Sequence, residues 1–127
     1  MPERCAFDYA VVRVVPHVER EEFINVGIIL FCRTRRFLSA RIDLDVERLR
    51  AVAPDVDAAA VQTHLDLIPR ICAGGEQAGP LREMTQSERF HWLTSPRSTI
   101  IQISPVHPGL CCDPQAALDD LFDRLVR

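Results

Sequence analysis

Arginine, amide and hydroxyl side chains gather on segments that otherwise read as buried strand. Arg13 interrupts the apolar run FDYAVVRVV at 7–15, and Asn25 lies in FINVGIILFC at 23–32. Arg97, Ser98, Gln102 and His107 surround the short apolar stretch 100–103 within SPRSTIIQISPVHPG. An arginine fork flanked by amide and hydroxyl donors suits a carboxylate, a phosphate or another anion. A buried guanidinium needs such a partner or a set of carbonyls. The competing reading is structural: Arg13 pairs with an internal carboxylate, Asp8 or Glu22, while Asn25 and Gln102 satisfy loop backbone. Pro96 and Pro105 bracket the stretch and limit its freedom, which would hold donors in place at lower entropic cost.

Other clusters carry weaker chemistry. Arg33, Arg35 and Arg36 form a basic connection, opposite in the meander to an acidic loop with Glu19, Glu21 and Glu22. That basic tip, joined by Arg41, suits phosphate or an acidic partner; its bland reading is a solvated hairpin end. No aromatic side chains interleave with it, so recognition of single-stranded nucleic acid lacks a stacking platform. His107, Cys111 and Cys112 make a His-x3-Cys-Cys cluster without a fourth metal ligand or a third orienting residue, so neither a zinc site nor a Cys-His nucleophile is expected. His64 lies on or beside the apolar stripe of a helix and reads as a core or boundary histidine.

Composition excludes more than it assigns. All 15 basic residues are arginine, which removes Schiff-base chemistry, a lysine base and a Walker-type phosphate loop. The net charge of −3 gives no general case for DNA or a membrane surface. Five cysteines, an odd number with no Cys-x-x-Cys pair, suggest reduced thiols in a cytoplasmic protein. The apolar run 26–32 is too short to span a bilayer, and the N-terminus lacks a signal-peptide pattern. No motif implies a cofactor.

These residues depend on the elements that carry them. The β-branched and aromatic runs 7–15, 23–32 and 37–43 predict consecutive antiparallel strands joined by short connections. Alternation would put Tyr9, Val11, Arg13 and Val15 on one face, Asn25, Gly27, Ile29 and Phe31 on one face, and Ser98, Ile100 and Gln102 on one face. Gly27 within its strand suggests a bulge or a close approach. The period then changes to helical. Asp45, Asp57, Thr85 and Asp113 stand as N-caps, Thr85 and Glu88 as a capping box, and Pro69 should kink or end its helix. A fourth strand is expected at 100–103. The order β-β-β-α-α-α-β-α predicts a single α+β domain with an antiparallel sheet of about four strands and helices packed on one face.

YAVVRVVPHVEREEFINVGIILF, followed far downstream by WLTSPRSTIIQISPVHPGL and DPQAALDDLF, resembles the bacterial family catalogued as domain of unknown function 3037. The resemblance covers nearly the whole chain. It implies a small bacterial protein with a kinase-like partner of the HipA type, and it brings no activity or catalytic residue. The expectation is a non-catalytic accessory or partner-binding domain, its partner kinase-like or a second copy. A small-molecule or anion-binding protein or enzyme using the Arg/Asn/Gln/His patch is the alternative. A nucleic-acid-associated protein acting through the Arg33–Arg36 tip comes third.

Overall fold

The β-branched run near the N-terminus forms the middle of a sheet. The computed structural model of the protein describes residues 3–20, 22–95 and 99–127. Strands β1 (Cys5–Val14), β2 (Ile24–Cys32) and β3 (Phe37–Ile42) make the expected antiparallel meander. Two further strands, β4 (Ile101–Ile103) and β5 (His107–Cys111), pair antiparallel with the other side of β1, giving five strands where about four were expected. The sequence HPGLC of β5 holds a proline and a glycine, which hide a strand from propensity but are tolerated at an edge.

β4 and β5 are two halves of one broken edge strand. Val12 opposes Ile103 and Tyr9 opposes His107, so the 104–106 segment holds one residue more than the 10–11 segment it faces. Pro105 has no amide hydrogen to offer there. Ser104 fills the break: its N–H donates to the Val11 carbonyl at 2.9 Å, and its Oγ accepts from the Val11 N–H at 2.8 Å.

Helices α1 (Val46–Val52), α2 (Ala58–Ala73), α3 (Gln86–Thr94) and α4 (Pro114–Leu125) start at the expected caps Asp45, Asp57, Thr85 and Asp113. The Thr85–Glu88 capping box forms, each side chain bonding the other's backbone N–H. Pro69 does not end α2, which continues to Ala73.

The helices divide between the two faces of the sheet rather than sharing one. Leu49, Val61, Leu65, Ile68, Phe90 and Leu93 of α1–α3 pack on Val12, Val14, Ile29 and Phe31. Leu118, Leu121 and Phe122 of α4 pack with Val126 on Phe7, Val11, Ile28 and Leu30. The reason lies in β2, where Ile28, Ile29 and Leu30 are each 0% exposed: side chains alternate across the pleat, so both faces need a cover.

Candidate functional site

The register brings Gln102, Arg13 and Asn25 into one cross-strand row. Arg13 opposes Asn25 on β2 and Gln102 on β4. Directly opposed residues of antiparallel strands share a face. The face is that of α4, because Arg13 follows Phe7 and Val11 at alternate positions and the Asn25 amide donates to the Leu125 carbonyl at 3.0 Å.

Asn25 reaches this face through an irregularity. Val12 opposes Gly27 but Arg13 opposes Asn25, so Val26 is an extra residue, a β-bulge. The bulge reverses the alternation: Ile24 and Val26 join Ile29 and Phe31 under α1–α3, and Asn25 turns to the opposite face. The expectation that Asn25 shares a face with Ile29 and Phe31 is therefore corrected. Gly27 beside the bulge also permits a close approach, since a Cβ there would lie 2.7 Å from the Arg41 carbonyl and would meet Ile42 Cδ1.

Arg13 has no carboxylate partner among the described residues. Asp8 sits at an even position of β1, on the other face, and Glu22 is paired with Arg20 at 3.1 Å. The guanidinium instead lies over the ring of Phe23, 4.3 Å from its centroid. Arg13 Nε and Asn25 Oδ1 are buried without a hydrogen-bond partner among the described residues. The Leu125 carbonyl can only accept, which fixes the orientation of the Asn25 amide and leaves Oδ1 as the open acceptor. Gln102 donates to the Thr99 carbonyl at 3.1 Å. For Asn25 and Gln102 the backbone-satisfying reading thus holds in part; for Arg13 the internal-carboxylate reading does not. Phe23 and Leu125 are exposed beside the row.

The other sequence candidates disperse. Arg97 and Ser98 lie outside the described residues, as do Pro96 and Glu21. β4 begins at Ile101, so Ile100 is not a strand partner of Gln102; it packs toward α1–α3. His107 is a β5 residue opposite Tyr9, its ring 5.4 Å from the tyrosine ring. It shares the α4 face but stands four residues along β1 from Arg13, about 13 Å at strand rise. Cys111 lies as far from His107 in the other direction, so these two do not pair.

The basic tip is a tight turn. Arg35 donates to the Glu3 carbonyl at 2.9 Å, and the carbonyl of Arg36, at a φ of 49°, accepts from Gln86 at 2.9 Å. Arg41 is not part of that tip: it pairs with Asp119 of α4 at 3.0 Å and lies over Phe122. His64 is exposed rather than in the core and borders an apolar cleft of about 310 Å³ between α2, α3 and β4, lined by Leu67, Ile71, Leu93, Ile101 and Ile103 among others. That volume suits a small apolar group.

Two features escaped the sequence reading. Arg89, 7% exposed, donates to the Met84 carbonyl at 2.8 Å and lies against the end of α2 at Cys72 and Gly74. A cation there answers the helix dipole, a structural role. The second is a group of three cysteine sulfurs, Cys5, Cys32 and Cys111, spaced 3.3 and 3.6 Å. No sequence spacing marks it, because the strands that carry it are far apart in the chain.

A central antiparallel sheet with a helix layer on each face and a polar row at one end defines the class structurally. Within that class the chain belongs to the family described as protein of unknown function (DUF3037), which matches residues 9–126. No curated protein and no solved structure matches it. None of its helices among the described residues is long and apolar enough to cross a membrane.

Proposed function

We propose that this chain is an accessory domain that binds a protein partner, and that the partner seats an acidic peptide on Arg13 between Asn25 and Gln102. The observation that supports this most is the guanidinium lying on exposed Phe23 with no carboxylate among the described residues. Arginine on an aromatic ring, flanked by apolar side chains, is the composition of an interface anchor. An acidic peptide supplies an acceptor for the arginine fork and, from its main chain, a donor for Asn25 Oδ1. The kinase-like partner implied by the family resemblance is one such protein.

The test is purification from the native host with mass spectrometry of what stays bound, comparing the natural chain with Arg13→Met and, as a control, Arg35→Met. The expected result is a stoichiometric partner whose binding weakens tenfold or more in Arg13→Met, as truncation of an interface anchor does, with Tm unchanged and Arg35→Met normal. Equal binding by all three, or collapse of Arg13→Met, returns Arg13 to a structural role. A second reading, small-ligand binding, draws on the apolar cleft between α2, α3 and β4. It is favoured instead if native mass spectrometry finds an apolar molecule bound and no protein partner.

A further inference from the structure

Cys5 stands directly opposite Cys111 across the β1–β5 pair, their sulfurs 3.6 Å apart. Directly opposed residues of antiparallel strands have Cα atoms about 4.5–5.5 Å apart, within the roughly 4.4–6.8 Å that a disulfide spans. Side-chain rotation alone can close the sulfurs to bonding distance. Cys32 brings a third sulfur to 3.3 Å from Cys5. No disulfide joins these residues in the structure.

Access is unequal. Cys5 and Cys32 are buried beneath α4, whereas Cys111 is half-buried and lines an open groove of about 410 Å³ between the end of β5 and α4. Leu110, Asp113, Ala117 and Leu121 form its walls. A small oxidant can therefore meet Cys111 before it meets the other two.

We propose that Cys5 and Cys111 are a reversible disulfide site, oxidised by a hydroperoxide that reaches Cys111 through this groove. In the first step the Cys111 thiolate attacks the peroxide oxygen. The O–O bond breaks, an S–O bond forms, and the departing alkoxide or hydroxide takes a proton, leaving a sulfenic acid on Cys111. In the second step the Cys5 sulfur attacks the Cys111 sulfur, the S–O bond breaks, and the departing hydroxide leaves as water with the proton Cys5 gave up. Two thiols and one hydroperoxide become one disulfide, one alcohol (or water, from hydrogen peroxide) and one water. A dithiol reductant reverses the bridge by exchange.

Cys32 assists the second step by accepting the Cys5 proton. Burial pushes the Cys5 thiol up to about 12, with the Cys32 and Cys111 sulfurs adding to it. At Cys32 burial also raises the pKa, but the bond to Cys5, Thr34 and the backbone and charge of Arg35 outweigh it and bring the thiol below its ordinary value. The two sulfurs titrate as a pair. The pair's first proton therefore leaves Cys32, whose thiolate, 3.3 Å from Cys5, takes the Cys5 proton as Cys5 attacks and passes it to the departing hydroxide.

The experiment treats the purified full chain with one equivalent of hydrogen peroxide, alkylates the remaining thiols and maps the peptides by mass spectrometry. Expected is the loss of two of the five alkylatable thiols, a single Cys5–Cys111 linked peptide, and full recovery with dithiothreitol. Cys112→Ser should leave the link intact, and Cys111→Ser should abolish it. A bridge through Cys112 or between Cys5 and Cys32 overturns the proposal. So does oxidation of Cys111 to sulfinic acid with Cys5 still fully alkylated. The map of the natural chain decides the matter even if a variant fails to fold.

Discussion

Arg13 was legible as an anomaly and as a candidate for holding an anion, but its surroundings were not. Its type and its place in an apolar strand are in the sequence; that it has no carboxylate partner among the described residues is partly a matter of faces, since Asp8 stands at an even position of β1 and Arg13 at an odd one. Asn25 shows the opposite limit. One extra residue, Val26, reverses the parity of everything before it on β2, and a bulge leaves no mark in composition beyond the neighbouring Gly27. That glycine makes a prediction. A methyl group at Gly27 would press on the Arg41 backbone carbonyl, which cannot swing away as a side-chain end can. Gly27→Ala should lower stability by about 1–3 kcal/mol, the usual cost of overpacking, read as a fall in the denaturant midpoint at constant m-value. An unchanged midpoint would show that the β2–β3 pair opens there at little cost.

At the scale of elements, caps and periods served well because each is local. Asp45, Asp57, Thr85 and Asp113 each bond a backbone N–H one turn or less away, so the signal and the structure share one stretch of chain. β5 was missed because its strand character comes from β1, not from HPGLC itself. The continuation of α2 past Pro69 follows the same logic, since burial of Ile71 and Cys72 offsets a lost hydrogen bond that sequence rules alone would count decisive. The broken edge depends on a single side chain. Ser104, 2% exposed, supplies the acceptor that the Val11 N–H would otherwise find in a continuous strand. Ser104→Ala should therefore cost about 1–3 kcal/mol, the penalty of an unsatisfied buried donor. Amide hydrogen exchange checks it directly: protection at Val11 should fall in the variant more than at Ala10, which lies in the regular part of the β1–β2 register. Equal protection at both would mean that water or a shifted backbone replaces the hydroxyl.

Seen whole, the molecule is one sheet between two apolar layers, and this determined which side of it each candidate residue occupies. The sequence supported strands and helices in the right order, but the near-continuous apolar run in β2 was the sign that both faces are covered, and a reading that assigns all helices to one face cannot use it. Phe122 ties the outer layer together, 1% exposed, with the guanidinium groups of Arg41 and Arg127 over its ring. The two layers share no side chains, yet both rest on β1 and β2. Truncations on opposite faces should then add, while unfolding stays a single transition. Ile68→Val under α2 is expected to cost about 0.5–1.5 kcal/mol and Leu121→Ala in α4 about 2–5 kcal/mol. The double variant should equal their sum within about 0.5 kcal/mol, as for sites without shared partners. Its denaturation curves by fluorescence and circular dichroism should coincide. A coupling beyond about 1 kcal/mol would show that the sheet transmits repacking from one face to the other. Separated transitions would show that the α4 layer detaches before the rest unfolds, leaving the Arg13 row and the Cys5–Cys111 pair without the helix that borders both.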